Sequence, residues 1–418
     1  RTGSYEVRTD PSGSPPTGDD ASSEGPAVGG SLRCRRSVRS AVSERTLATN
    51  GPVLIIGTGL LGTSIALALR SGGVEVYLRD ASPTAGRLAQ DLGAGTLIAQ
   101  DDPCSPRLVI VSTPPDVADV CVVDALLRYP QAVVTDVASV KSAVCDGVFD
   151  EAKRRGADIP SRYVGSHPMA GRERSGAGAA DADLFYGRPW VIVPNRYSTP
   201  DAVMEIRSLA VDLGAFPIEM DACTHDQSVA LISHVPQLVS SMLAARLVDA
   251  PLSALSLSGQ GLRDTTRIAA SDPRLWTAIL AGNAGPVVEV LREIRGDLDD
   301  LIEHLDAAAQ RGPLEGGSVG AVHRVMDLGN RGVARIPGKH GGAPTRYAVL
   351  DVFVPDTAGS LGRLFTELGE IGVNIEDLSL EHSAGAQMGV ARISLDPSIV
   401  ASTVKQLEER GWNTGSGD

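Results

Sequence analysis

The residue with the clearest chemical potential is a histidine set among small and rigid neighbours, His167 in Gly165-Ser166-His167-Pro168-Met169-Ala170-Gly171. Its flanks predict a constrained loop, not a helix face. Removing a hydride from an alcohol needs a group beside the hydroxyl to take the proton, and a neutral imidazole does this near pH 7. Taken alone, a loop histidine is more often structural. Asp136-Val137-Ala138-Ser139-Val140-Lys141 follows an apolar run and puts a hydroxyl, Ser139, and a cation at one sheet edge. Arg267 sits in a polar break, Gly261-Leu262-Arg263-Asp264-Thr265-Thr266-Arg267-Ile268-Ala269, within an otherwise apolar helical region. A guanidinium there can grip a carboxylate at two points. An ion pair with Asp264 or Asp272 is the alternative.

A second chemistry, the holding of phosphates, is written at Gly57-Thr58-Gly59-Leu60-Leu61-Gly62. The pattern GxGxxG is weak alone but informative here, because an apolar strand precedes it and a helix follows. Gly57 permits a tight turn, Gly59 lets backbone approach a pyrophosphate, and Gly62 allows close helix–strand packing. The helix start at Leu60 and Leu61 offers free N–H groups and a positive dipole end. Asp80 ends the next strand, where a carboxylate accepts a ribose 2′-hydroxyl and repels a 2′-phosphate. The cofactor expected is NAD rather than NADP, although Arg79 and Arg87 nearby weigh the other way. Thr113 and Pro114, in Ser112-Thr113-Pro114-Pro115, follow the fourth apolar run and face the same crevice.

These groups need a sheet to align them. Apolar runs at Val53-Leu54-Ile55-Ile56, Val74-Glu75-Val76-Tyr77-Leu78, Leu108-Val109-Ile110-Val111 and Ala132-Val133-Val134-Thr135 alternate with helix-length segments. That alternation predicts an α/β, Rossmann-like, doubly wound parallel sheet. Pro189-Trp190-Val191-Ile192-Val193 and Phe216-Pro217-Ile218 read as its last strands, which gives a nucleotide domain over residues 49–222. From about Cys223 the strands stop. Val229 to Leu247 and Trp276 to Leu305 carry apolar residues at helical spacing, so residues 223–315 are expected to be all-α, forming either a dimer interface or an intramolecular bundle. Residues 316–344 are glycine-rich and read as a linker. A strand at Tyr347 to Val354, a helix at Ser360 to Gly372, strands at Asn374 to Leu380 and Gly389 to Leu395, and a helix from Ser398 to Arg410 make a small α+β module over residues 345–412.

Residues 1–48 are rich in Gly, Ser, Pro and Asp and turn basic at Arg33-Cys34-Arg35-Arg36; they read as a disordered tail. A net charge of −13 on 418 residues argues against coating nucleic acid or an anionic membrane. No apolar run approaches the roughly 18 residues of a membrane span. Five scattered cysteines without a CxxC pair disfavour a disulfide framework or a zinc site, so no metal is expected and the location expected is cytoplasmic.

The motifs GTGLLGTS, TDVASVKS, GSHPMAGRERSG, LISHVPQ and GLRDTTRIAASDPRLW occur in this order and together resemble the prephenate and arogenate dehydrogenases over about residues 52–313. The resemblance implies an NAD-dependent oxidative decarboxylation. Hydride leaves C4 of prephenate, CO2 is lost from the ring, and aromatisation to 4-hydroxyphenylpyruvate drives the reaction. It implies that His167 polarises the 4-hydroxyl, that Ser139 helps hold that hydroxyl and the histidine, and that Arg267 binds substrate carboxylate. It also implies that Glu173 gates the pocket and that Ser233 and His234 line the substrate side. Where many members carry a second histidine, this chain has Gln237, which leaves the choice between prephenate and arogenate open. A homodimer is the expected assembly.

Tyr347 to Leu395 resembles an ACT domain, a βαββαβ module that holds amino acids. The resemblance places the ligand near Gly359 and Leu361, before and within the first helix, and near Asn374 and Ile375 at the next strand, typically across a dimer of modules, with tyrosine as the expected feedback ligand and phenylalanine as the alternative. Two other classes compete. Dehydrogenases with a catalytic lysine or aspartate on the helical domain are disfavoured because the histidine lies in the nucleotide domain. An NAD-bound amino-acid sensor without catalysis is disfavoured because both His167 and Arg267 are present.

Overall fold

The computed structural model describes residues 47–156, 161–172, 174–313, 317–337, 347–382 and 388–417. The expected tail therefore lies almost wholly outside the described residues. Residues 47–49 are already anchored: the Asp212 carboxylate accepts from Ala48 N at 3.1 Å and from Thr49 N and Oγ1, each at 2.6 Å.

Eight strands form one sheet. They are β1 (Val53–Ile56), β2 (Val76–Arg79), β3 (Thr96–Leu97), β4 (Leu108–Val111), β5 (Val133–Asp136), β6 (Tyr163–Pro168), β7 (Pro189–Pro194) and β8 (Phe216–Glu219), in the order β3-β2-β1-β4-β5-β6-β7-β8. The strands β1 and β4 read VLII and LVIV with almost every side chain buried, as strands covered on both faces must be. Helices Leu60–Ser71 and Pro200–Asp212 cover one face, and helices Pro115–Arg128 and Ser142–Arg154 the other. Their starts are written locally. Ser82 and Thr199 cap helices whose first residues are Pro83 and Pro200, and each side chain accepts from an N–H three residues on.

Three expectations about the sheet are corrected. The first six strands are parallel, but β7 runs antiparallel to β6, with β8 parallel to β7. The connection from β6 to β7 holds, among its described residues, a 3₁₀ turn at Ala177–Ala179 and no crossover α-helix. The short edge strand β3 was not expected. His167 also lies within β6, near its carboxyl end, and not in a loop.

The helical region starts with Asp221, whose side chain caps Thr224 N. A continuous 24-residue helix, Ala222–Ala245, contains a π-helical turn at Ala230–His234. By length and composition this helix could cross a bilayer, contrary to the expectation from the sequence. Its buried His225, Asp226 and His234 give it polar work inside the protein. Helix Pro273–Gly282 docks on the nucleotide domain, burying Ile279 against helix Pro115–Arg128, and the 28-residue helix Ala284–Arg311 follows. The segment expected as a linker contains a further helix, Ser318–Val333, packed along Ala284–Arg311 with Arg324 paired to Asp300 at 2.7 Å. Its glycines hid an apolar stripe that includes the fully buried Ala321.

The C-terminal module has strands β9 (Ala348–Pro355), β10 (Asp377–His382), β11 (Met388–Leu395) and β12 (Asn413–Gly417), ordered β10-β11-β9-β12 and antiparallel throughout. Helices Ser360–Glu370 and Val400–Glu409 complete a βαββαβ unit with its own core around Val352, Leu364, Ile393 and Leu407. The module extends past residue 412, because β12 closes the sheet against β9.

Candidate active site

The cofactor end is built as the glycine spacing requires. Gly57 has a φ of +96°, and a Cβ on it would stand 2.6 Å from the Ser112 carbonyl oxygen. A Cβ on Gly62 would meet the Gly57 carbonyl oxygen at 2.1 Å. At Gly59 a Cβ would enter open space with no atom within 4 Å, which is the room a pyrophosphate needs beside bare backbone. The first helical bond runs from Thr63 N to Gly59 O at 3.1 Å, so the amides of Leu60, Leu61 and Gly62 lie ahead of it, as helix-start donors do. Asp80 Oδ2 accepts from Thr58 N at 2.6 Å and Thr58 Oγ1 at 2.8 Å, while Oδ1 accepts from Ser82 N at 2.7 Å. A carboxylate oxygen with one bond has capacity for another, here a ribose hydroxyl. Arg79 is occupied elsewhere, donating to Tyr129 Oη at 3.1 Å and the Ala99 carbonyl at 3.4 Å. The buried Ser112 hydroxyl has no partner among the described residues. Thr113 and Pro114 follow β4 at the start of helix Pro115–Arg128. These features fit a dinucleotide.

A second polar cluster lies at the carboxyl edge of β5 and β6, where helix Ala222–Ala245 meets it. His167 Nδ1 meets His225 Nε2 at 2.9 Å, and His225 Nδ1 meets Asp226 Oδ1 at 2.8 Å. Asp226 also accepts from Lys141 N and Ser142 N, each at 2.8 Å. Those two amides open helix Ser142–Arg154, which has no side-chain cap of its own. Lys141 Nζ is fully buried, pairs with Asp136 and donates to the Ser166 carbonyl at 2.9 Å. Asp136 also accepts from Tyr163 Oη at 2.8 Å. Asn283 Nδ2 donates both to the Asp226 carbonyl at 2.8 Å and to His234 Nδ1 at 3.0 Å. Reversing that amide would set its oxygen against a carbonyl, so the assignment is fixed, and His234 carries its proton on Nε2.

Burial, with the neighbouring His225, Lys141 and His234, holds His167 well below its ordinary value, so the ring is neutral at physiological pH. Burial lowers His234 to about 4, the Asp226 charge only partly opposing it. Burial works against charge on Asp226, but His225 and the Lys141 and Ser142 amides outweigh it and hold the carboxyl below the usual carboxylate range.

The structure brings together some of the expected residues and not others. His167 Nδ1 is held by His225, where Ser139 was expected; Ser139 is half-buried at the bend after β5. Ser233 is half-buried in the π-turn, and His234 is bonded inward to Asn283. Gln237 is buried, its amide reaching Ser241 Oγ at 3.4 Å and accepting from Ser271 Oγ at 3.5 Å. Arg267 is exposed in a 3₁₀ turn packed against the helix of Gln237. Glu173 lies outside the described residues. In the C-terminal module, Gly359, with a φ of +92°, caps the start of helix Ser360–Glu370, and Leu361 lies in its first turn. Asn374, which donates to Glu376 at 2.6 Å, and Ile375 lie beyond the other end of that helix, ahead of β10 rather than within a strand. His225, Asp226 and Asn283 were missed. The available signal was a His-Asp pair just behind the Asp221 cap, polar residues in a helix otherwise apolar.

The family model for the prephenate dehydrogenase nucleotide-binding domain matches residues 65–218, and that for its dimerization domain matches residues 221–313. "Probable prephenate dehydrogenase NovF" of Streptomyces niveus is 35% identical over 366 residues, covering 87% of this chain and 99% of that protein. A crystal structure of prephenate dehydrogenase from A. aeolicus, in complex with hydroxyphenyl propionate and NAD+, is 26% identical with a TM-score of 0.57 and covers 67% of this chain and 96% of its own. The Synechocystis arogenate dehydrogenase structure is 27% identical with a TM-score of 0.53 and covers 67% of this chain and 98% of its own. The fold and site thus define an oxidoreductase with a nucleotide-binding and a helical domain. The chain belongs to the prephenate dehydrogenase family.

The depressed His234 makes stability depend on pH with a definite sign. The folded ring stays neutral down to about 4, whereas the unfolded ring takes up its proton near 6.5. Its contribution is complete above the higher value and is lost as pH falls towards the lower one. Thermal unfolding followed against pH is expected to show a shallower acid decline in His234→Gln than in the wild type; equal slopes would contradict the assignment.

Proposed function

We propose that the chain catalyses the NAD-dependent oxidative decarboxylation of prephenate to 4-hydroxyphenylpyruvate, in the making of tyrosine. The observation that carries this reading is a buried neutral histidine, His167, at the carboxyl edge of a nucleotide-binding sheet whose first strand leads into a glycine loop open at Gly59. NAD, when bound, supplies the hydride acceptor. Gly57, Gly59, Leu60, Leu61 and Gly62 cradle its phosphates, Asp80 takes the ribose hydroxyl, and Thr113 and Pro114 border the crevice.

His167 accepts the proton of the 4-hydroxyl as hydride leaves C4, the electrons of the breaking ring–carboxylate bond complete the aromatic ring as CO2 departs, and His167 returns the proton to the phenolate oxygen. Ser139, at the bend after β5, positions the hydroxyl. Arg267 binds substrate carboxylate from the 3₁₀ turn, with Ser233, His234 and Gln237 shaping the same side, and Glu173 closes the pocket. Arogenate is the second reading. The likeness to an arogenate dehydrogenase structure favours it, and Gln237, which donates hydrogen bonds but carries no charge, leaves the choice of side chain open. The enzyme is read as soluble and cytoplasmic, in line with the family.

The helical domain leaves Leu231 and Ile232 on one helix and Leu298 and Ile302 on another exposed. Together with the match to a dimerization domain, this supports a homodimer. The C-terminal module is read as an ACT-like regulatory domain that binds tyrosine. Its two expected contact regions lie at opposite ends of an 11-residue helix, roughly 16 Å long. One amino acid cannot span that distance, which favours a ligand held between two modules.

His167→Asn is expected to lower turnover by about 10²- to 10⁴-fold while leaving NAD affinity unchanged; near-normal turnover with NAD still bound sinks the assignment. Sedimentation and rate measured during a tyrosine titration test the assembly and its regulation. A dimer whose turnover falls with tyrosine is expected, whereas a monomer, or a rate and thermal stability indifferent to tyrosine, would contradict the reading.

A further inference from the structure

We propose that His225 and Asp226, contributed by the helical domain, are positioning residues that set the tautomer of His167 and leave its Nε2 as the proton-accepting atom. The inference rests on the reading that His167 takes the substrate proton.

It follows from donor and acceptor capacity along one chain of contacts. Asp226 is ionised, so both its oxygens only accept. They already take the Lys141 and Ser142 amides. The 2.8 Å contact between Asp226 Oδ1 and His225 Nδ1 therefore requires His225 to donate. With its one N–H given to Asp226, a neutral His225 would present a bare Nε2. The 2.9 Å contact from His225 Nε2 to His167 Nδ1 then requires His167 to donate from Nδ1. His167 is neutral as well, and its Nε2 is left with the lone pair. The other tautomer would set two nitrogen lone pairs against each other in a site where His225 is fully buried and no water can relieve the repulsion. Once Nε2 takes the hydroxyl proton, the ring is a cation with both nitrogens protonated. Its Nδ1–H keeps the same bond, so the reaction needs no reorientation of the ring.

The anchor is as important as the pair. Asp226 is fixed by the start of helix Ser142–Arg154 in the nucleotide domain, so the tautomer of His167 is set only while the two domains are docked.

The test uses the full chain and two substitutions of different acceptor capacity. His225→Phe keeps a planar ring but cannot accept from His167. His225→Gln can place its side-chain oxygen near the position of Nε2. Turnover of prephenate is expected to fall about 100-fold in H225F with NAD affinity unchanged, and to stay within about tenfold of the wild type in H225Q. Histidine ¹⁵N spectra, with the His167 signal assigned by its loss in H167N, should show a protonated Nδ1 and a bare Nε2 in the wild type and H225Q, and a tautomer mixture in H225F. The wild-type spectrum decides the matter even if H225F does not fold. A wild-type His167 protonated at Nε2, or an H225F with undiminished turnover beside an inactive H167N, overturns the positioning role alone. A fully active H167N overturns the underlying reading instead.

Discussion

One carboxylate holds the site together. Asp226 comes from the helical domain and accepts the two amides that open helix Ser142–Arg154 in the nucleotide domain. Those amides have no partner on their own helix, and the positive end of the helix dipole favours a negative charge there. The contact is nearly free of solvent, and its neighbours reinforce it. Asn283 donates to the Asp226 carbonyl, Gly282 lies so close to Val140 that a Cβ would stand 3.1 Å from its methyl carbon, and Ile279 is buried against the sheet's helices. The stretch from His225 to Gln237 is held against the nucleotide domain by this group of contacts.

Beneath it runs a buried ion pair between Lys141 and Asp136, both fully inaccessible to solvent. Such a pair contributes little net stability, because desolvation offsets much of the attraction. Its effect here is geometric. Lys141 offers its amide to Asp226, while its ammonium group grips both the end of β5 and the Ser166 carbonyl, one residue before His167. Tyr163 and Asp136 extend the same network across β5 and β6, and burial, with the adjacent Asp136 charge, raises the Tyr163 hydroxyl well above its usual range, so it stays a donor. His167 is thus fixed through its backbone by the sheet and through its ring by the other domain.

The cofactor end was legible in the sequence because it depends on local rules. A strand, three glycines and a carboxylate about twenty residues on define the turn. A Cβ would collide at Gly57 and at Gly62, whereas the open space at Gly59 leaves room beside bare backbone. His167 was legible from its unusual flanks. His225 was not, because its function lies in a contact across 58 residues, and a helix does not announce which neighbour it will meet. The reversal at β7 was equally hidden, since an apolar strand reads alike in either direction. The helix Ser318–Val333 was obscured by Gly320, Gly329 and Gly332, whose weak helix propensity is overridden by packing on the long helix. The last strand, β12, consists of Asn, Thr, Gly, Ser and Gly, of which only Thr414 favours a strand, and it pairs along the open edge of β9.

The central claim is tested most directly by following NADH formation from prephenate and arogenate in parallel, each with NAD and with NADP, while identifying the carbon product. The account predicts rapid reduction of NAD with prephenate, with 4-hydroxyphenylpyruvate and CO2 formed in equal amounts. A preference for arogenate would change the substrate and direct attention to Gln237. No reduction with either compound, by a chain that still binds NAD, would contradict the account and leave an amino-acid sensor as the better description.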